Sequence, residues 1–292
     1  MKKIFAILAI ILFLNINVSA DAGYVSDKRS AIKTYMQVRA DKKAIKNVIN
    51  LQNKYASKYD YDSMFALYSE DFVSADGFDK NTYFELIKDT WKSYPDITYT
   101  TNIKDICVDK DSATVSVHET SSAATTQMED GAKLYGELNS YSNGKYFLKK
   151  GENGWLITGE VIADEKSVLK YGDMRYVDVD LNSPRIVKPG EYYTATLTVD
   201  APDDSVVVAS IGRDNITYPQ EQAENVFRKL PTDKILERMF FANKDGKNEY
   251  NVASVGMTKS KIEGGNIELY LAGIGFVMTR VNVEVDDAKK DK

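Results

Sequence analysis

His118 and Glu119 are the residues best placed by type and spacing for acid–base chemistry. They follow Ala113, Val115 and Val117, whose alternation reads as a strand with one buried face. Period-two geometry sends His118 to the face opposite the valines and Glu119 to their own. His118 is the only histidine, and imidazole titrates in the range useful for proton transfer, yet its parity puts it on the outer face. Glu119 is the stronger candidate. A carboxyl held among apolar groups has its pKa raised by desolvation, which prepares a general base.

Other chemistries lack their parts. One histidine and one cysteine, Cys107, allow neither a disulfide nor a thiolate cluster nor a His-rich zinc site, so no cofactor and no metal is expected. Ser-x-x-Lys occurs at Ser30/Lys33, Ser142/Lys145 and Ser167/Lys170, without the companion motifs of serine penicillin-recognising enzymes. Asp109-Lys110-Asp111 opens like a calcium loop but lacks the later ligands and glycine, and reads as a hairpin turn. Tyr68, Phe84, Trp91 and Trp155 are candidates to line a pocket for an apolar ligand; the same spacing equally suits a closed core.

These residues need a scaffold. Ile45, Val48, Ile49, Gln52, Tyr55, Ala56 and Tyr59 recur at helical spacing and predict one buried helix face. Asp60 to Asp62 offers a turn and N-cap for a short second helix carrying Met64, Leu67 and Tyr68. Asp79 caps a third helix with Tyr83, Leu86, Ile87 and Trp91, which Pro95 ends. Three helices are thus expected before any strand. From Ile97 the period becomes two, with a hairpin at Asp109–Asp111 and further strands near 120–127, 133–140, 145–150 and 155–162.

The residues 60–72, Asp76-Gly77-Phe78-Asp79, the run 108–115, and Tyr146 to Lys150 with Gly154-Trp155-Leu156-Ile157 together resemble the nuclear transport factor two superfamily. That fold is shared by ketosteroid isomerases and SnoaL-like polyketide cyclases. The resemblance covers about 28–163 and implies a cone of three helices on a curved antiparallel sheet, with Glu119 near its mouth. It also implies pairing of two copies through the open sheet face, here carrying Thr114, Ser116 and His118. Ketosteroid-isomerase-like sites add phenolic and protonated carboxyl donors to the base, and none of these can be carried onto a matching position.

Residues 164–175, of mixed charge with Gly172, read as a linker. Beyond them Val-, Thr- and Tyr-rich alternation at 192–199, a strand at 206–211, and strands at 249–258, 266–272 and 276–285 suggest an immunoglobulin-like β-sandwich over 176–285. A short helix is expected within 219–236 and a charged disordered tail over 286–292. The fold expected is therefore an α+β cone followed by an all-β sandwich.

At the N-terminus, Lys2 and Lys3, the apolar run 4–14 and Val18-Ser19-Ala20 form a signal-peptide pattern ending at residue 20. Export to the periplasm or the cell exterior is expected, with no membrane insertion. The chain has 38 Lys and Arg against 43 Asp and Glu, a net charge of −5 at pH 7. This acidic balance without a basic cluster gives no footprint for nucleic acid. The function expected is a non-catalytic binding or interaction protein, in which the cone takes a small apolar ligand or dimerises and the sandwich contacts an envelope protein. The alternative is an isomerase, cyclase or hydratase with Glu119 as base.

Overall fold

The computed structural model describes residues 22–129, 132–220, 226–263 and 266–284. The signal pattern, the charged tail and residues 221–225 of the expected short helix lie outside them. The chain divides into two compact units, Met1–Asp41 and Lys42–Lys292. In the first, residues 22–41 are helical and Gln37 Nε2 donates to Asp41 Oδ2 at 3.0 Å. The second unit carries everything that follows. Among the described residues no helix is long and apolar enough to cross a membrane.

Helix α1 (Ala22–Ala56) contributes the predicted face, with Ile45, Val48, Ile49 and Ala56 buried. Asp60 caps α2 (Tyr61–Phe65) by accepting from the Ser63 amide at 3.2 Å. Asp79 caps α3 (Lys80–Ser93) by accepting from the Thr82 amide at 2.8 Å, which satisfies one of the orphan amides of a first turn. Between them runs a strand that the sequence reading missed, β1 (Tyr68–Ser74), parallel to a later strand. Tyr68 therefore opens a strand and does not extend α2. The span is short, and its burial pattern keeps Tyr68 and Phe72 together on the core side, a spacing of four that a helix would also give.

The expected fold of a separate cone and sandwich is overturned by the sheet. Strands β2 (Thr98–Asp109), β3 (Ser112–Glu129), β4 (Ala132–Gly151) and β5 (Gly154–Gly172) form the antiparallel half near the helices. After a 3-10 turn (Asp173–Tyr176) come β6 (Asp178–Asn182), β7 (Ile186–Val187), β8 (Tyr192–Asp200), β9 (Val206–Asn215), β10 (Arg228–Lys229), β11 (Ile235–Phe241), β12 (Glu249–Glu263) and β13 (Asn266–Val283). Ten strands join in one sheet along the path β10-β9-β12-β13-β5-β4-β3-β2, with β1 and β7 attached at β5 and β13. Strand dominates the molecule, and β5 links the halves by pairing β4 on one side and β13 on the other. The span 164–172, read as a linker, is the second half of that central strand. Its charged residues misled the reading because they reach sideways: Lys170 Nζ bonds the Val177 carbonyl at 2.7 Å, and Lys166 Nζ bonds Asp180. The glycine of the supposed linker, Gly172, is at φ +59°, and a Cβ there would stand 2.5 Å from the Ala272 carbonyl oxygen.

Two cores flank this sheet. Near the helices, Ile45, Ile49, Phe72, Phe84, Val115 and Ile157 are sealed together. On the other side a three-stranded sheet, β11-β8-β6, packs Leu181, Leu197 and Val199 against Ile211, Val255 and Val277 of the large sheet. The alternation read at 192–199 is this inner face. The later strands are two long ones, 249–263 and 266–283, rather than three short ones, and within 219–236, where a short helix was expected, residues 228–229 and 235–236 are strand, the latter opening β11.

Candidate functional site

Between α1, α3 and the helix-facing side of β2–β5 lies a cavity with two adjoining lobes of about 270 and 550 Å³. Tyr83, Leu86, Glu119, Tyr146 and Glu165 line both. The larger lobe is completed by the second half of the chain, through Tyr250 of β12 and the stretch Ile216–Gln220 after β9. Tyr218 OH, in that stretch, donates to Asp89 Oδ2 on α3 at 2.7 Å.

Three glutamates reach the cavity, each held by a tyrosine. Tyr146 OH stands 3.1 and 3.2 Å from the two Glu119 oxygens, and Thr101 Oγ1 donates to Glu119 Oε1 at 2.9 Å. Tyr83 OH donates to Glu160 Oε2 at 3.0 Å, and Tyr250 OH to Glu165 Oε2 at 2.9 Å. Gln52 Nε2 bridges the phenolic oxygens of Tyr146 and Tyr68 at 3.0 and 3.1 Å. Tyr68 packs in turn on Tyr83, ring centroids 5.8 Å apart, so the supports of Glu119 and Glu160 form one cluster.

Sheet register explains the grouping. Thr101, Glu119, Ser142 and Glu165 stand in one row across β2, β3, β4 and β5. Glu160 and Glu165 differ by five and would face opposite ways on a regular strand. Asn143 pairs Asp164 while Gly144 pairs Ile162, so Ala163 is an extra residue that resets the alternation. The bulge crowds its partner strand: a Cβ on Gly144 would lie 2.5 Å from the Val161 carbonyl oxygen.

Burial sets the electrostatics. It pushes the Glu119 carboxyl up, against the hydrogen bonds from Thr101 and Tyr146. It pushes Glu165 up against the bond from Tyr250. Glu160 is carried to about 8, first by burial and then by the negative charge of Glu119 and Asp76, with the Tyr83 bond and Arg280 opposing. Burial also lifts the phenols of Tyr68, Tyr83, Tyr146 and Tyr250 well above their ordinary value, so they stay neutral donors. Nearby, Arg280 is committed to Asp76 by two hydrogen bonds. A neutral acid, a desolvated base and neutral phenols are the groups proton transfer uses.

The sequence candidates divide between cavity and core. Glu119 and Trp91 line the smaller lobe. Trp91 stands edge-on to Tyr59 at 5.4 Å. Tyr68 is 2% exposed and Phe84 fully buried; they meet at a centroid distance of 5.0 Å inside the helix-side core, without lining either lobe. Trp155, also buried, belongs to that core. His118 Nδ1 lies 2.9 Å from Asn143 Oδ1, whose amide donates to Asp164 at 2.8 Å, and His118 lines neither lobe. Glu160, Glu165 and Tyr250 were missed. The signal, Glu160 and Glu165 on one face with Glu119 and Tyr250 beside them, appears only once the bulge at Ala163 and the pairing of β5 with β13 and of β13 with β12 are known.

No protein-family model and no curated protein sequence matches the chain. Solved structures resemble part of it. A Novosphingobium aromaticivorans protein assigned as a scytalone dehydratase shares 14% identity over 42% of this chain and 83% of its own, with a TM-score of 0.34. A Streptomyces avermitilis protein assigned as a dehydratase of the nuclear transport factor two-like family shares 10% over 42% and 95%, TM-score 0.34. A Xanthomonas campestris protein assigned as a polyketide cyclase shares 14% over 42% and 90%, TM-score 0.27. Each of these likenesses spans about two-fifths of the chain.

Proposed function

We propose that this protein binds a small molecule with an apolar body in the two-lobed cavity, and that it does so outside the cytoplasm, exported by the pattern in residues 1–20. The observation that carries the reading is the cavity itself. Phe84 and Trp155, large enough to fill it, pack elsewhere, while Trp91, Glu119 and Tyr146 stand on its wall. Concave, mostly apolar sites with a few converging polar groups are where small ligands bind. A thermal-shift screen of the mature protein tests this, since selective stabilisation identifies a ligand without assuming a reaction. A screen in which no compound raises the melting temperature would count against it.

A second reading is proton transfer of the isomerase, cyclase or hydratase kind. The pairing of desolvated Glu119 with Tyr146, beside the Tyr83-held Glu160, favours it. Glu119 would take the proton and Glu160, largely protonated near neutral pH, would supply one. Glu119→Gln then loses two to four orders of magnitude in turnover, the scale of a lost general base. If the protein only binds, Trp91→Ala harms the complex more than Glu119→Gln. Association of two copies through the outer sheet face around His118, and contact of the second half with an envelope protein, stay part of the proposal. Sedimentation velocity and cross-linking in cells test them.

A further inference from the structure

We infer that the ligand is an organic cation, an amine or quaternary ammonium on an apolar body, seated among the rings of Tyr83, Trp91 and Tyr141 with its charge toward Glu119 and Glu165. The inference deepens the binding reading above and rests on it.

Charge balance is the first observation. Glu119, Glu160 and Glu165 have phenols, and in one case a threonine hydroxyl, as their hydrogen-bond donors. Among the described residues the smaller lobe is lined by no Lys, Arg or His. The larger lobe has Lys145, exposed to solvent at the rim. Arg280, whose charge acts on Glu160 and Glu165, is paired with Asp76. Carboxyls gathered in a poorly solvated space repel one another, and an anionic ligand would add to that repulsion. An incoming cation relieves it.

The walls supply the second observation. Tyr83, Trp91, Tyr99, Tyr141 and Tyr146 all reach the smaller lobe, and ring faces attract ammonium groups, more strongly where water is excluded. Third, Gln52 is 6% exposed and lines the same lobe, and its Oε1 is an acceptor without a hydrogen-bond partner. Its amide nitrogen is held by two phenols, which fixes the oxygen as an acceptor suited to an N–H group. Burial is what raises the three carboxyls, and at Glu160 the negative charge of Glu119 adds to it. A cation bound beside Glu160, whose carboxyl is held at about 8, lowers that value, so near pH 7 a proton leaves as the cation enters.

The test uses three molecules with one aromatic body: 2-phenylethylamine, 2-phenylethanol and phenylacetate, titrated calorimetrically into the mature protein near pH 7. The amine should bind at least tenfold more tightly than the alcohol, and phenylacetate most weakly. Its apparent enthalpy should vary between phosphate and Tris buffers as protons are released. Glu119→Gln, with its melting temperature checked, should cut the preference for amine over alcohol by about tenfold. Equal or tighter binding of the alcohol or of phenylacetate overturns the cation and keeps the cavity. If none of the three binds while a screen finds a neutral ligand, the cation inference alone falls; if nothing binds, both fall.

Discussion

Arg280 of β13 and Asp76, 204 residues earlier, form a two-point ion pair, with Nη1–Oδ2 at 3.0 Å and Nη2–Oδ1 at 2.5 Å. Asn248 adds a third bond to the same carboxylate at 2.8 Å. The Arg280 side chain is fully buried and that of Asp76 9% exposed, so the pair ties the end of the chain to the loop before α3. Arg280→Met strands a buried carboxylate and should cost about 3–5 kcal/mol in urea unfolding. Adding Asp76→Asn should recover most of it. A single variant within 1 kcal/mol of wild type, roughly the size of an ordinary hydrogen bond, would deny the pair this role.

Glu160 makes stability depend on pH. Its folded value is near 8 against an ordinary value of 4.5, so between those limits the folded state holds more protons than the unfolded one. Stability contributed by the neutral acid is therefore full below about 4.5 and declines as pH rises toward 8. Glu160→Gln removes that dependence. The variant should gain on the wild type from pH 5 to pH 8, by a few kcal/mol at most. Tyr83, Glu119, Asp76 and Arg280 act on the group, so each should be unchanged in the comparison. A constant difference across the window would show that Glu160 is solvated.

Gly144 faces the bulge that turns Glu165 into the cavity. Gly144→Ala places a methyl 2.5 Å from the Val161 carbonyl oxygen, a backbone atom that cannot swing away. A loss of about 1–3 kcal/mol is expected from such overpacking, measured by chemical denaturation. An unperturbed variant would mean that the bulge relaxes freely.

Legibility in the sequence followed the range of the interactions. Local signals held: Asp60 and Asp79 cap their helices, and Asp109 to Asp111 turns β2 into β3. Strand parity sent Glu119 to the cavity wall with Val117 and His118 to the other face. Long-range pairing was not legible. Nothing local in residues 164–172 says that they pair β13, since Lys166 and Lys170 look solvated until Asp180 and the Val177 carbonyl are brought beside them. The same pairing hides Glu160, Glu165 and Tyr250 from a reader of the chain. It also predicts that limited proteolysis spares 164–172, because cleavage favours exposed segments with few contacts; a first cut there would contradict the continuous sheet.

Filling the cavity tests the account most directly. Leu86 lines both lobes, and Leu86→Trp puts an indole where the ligand body sits. For any compound that stabilises the wild type, the variant should fold, shown by a cooperative melt, and lose the ligand-induced rise in melting temperature. A folded Leu86→Trp protein that keeps the full rise would place the ligand elsewhere and contradict the cavity as the functional site.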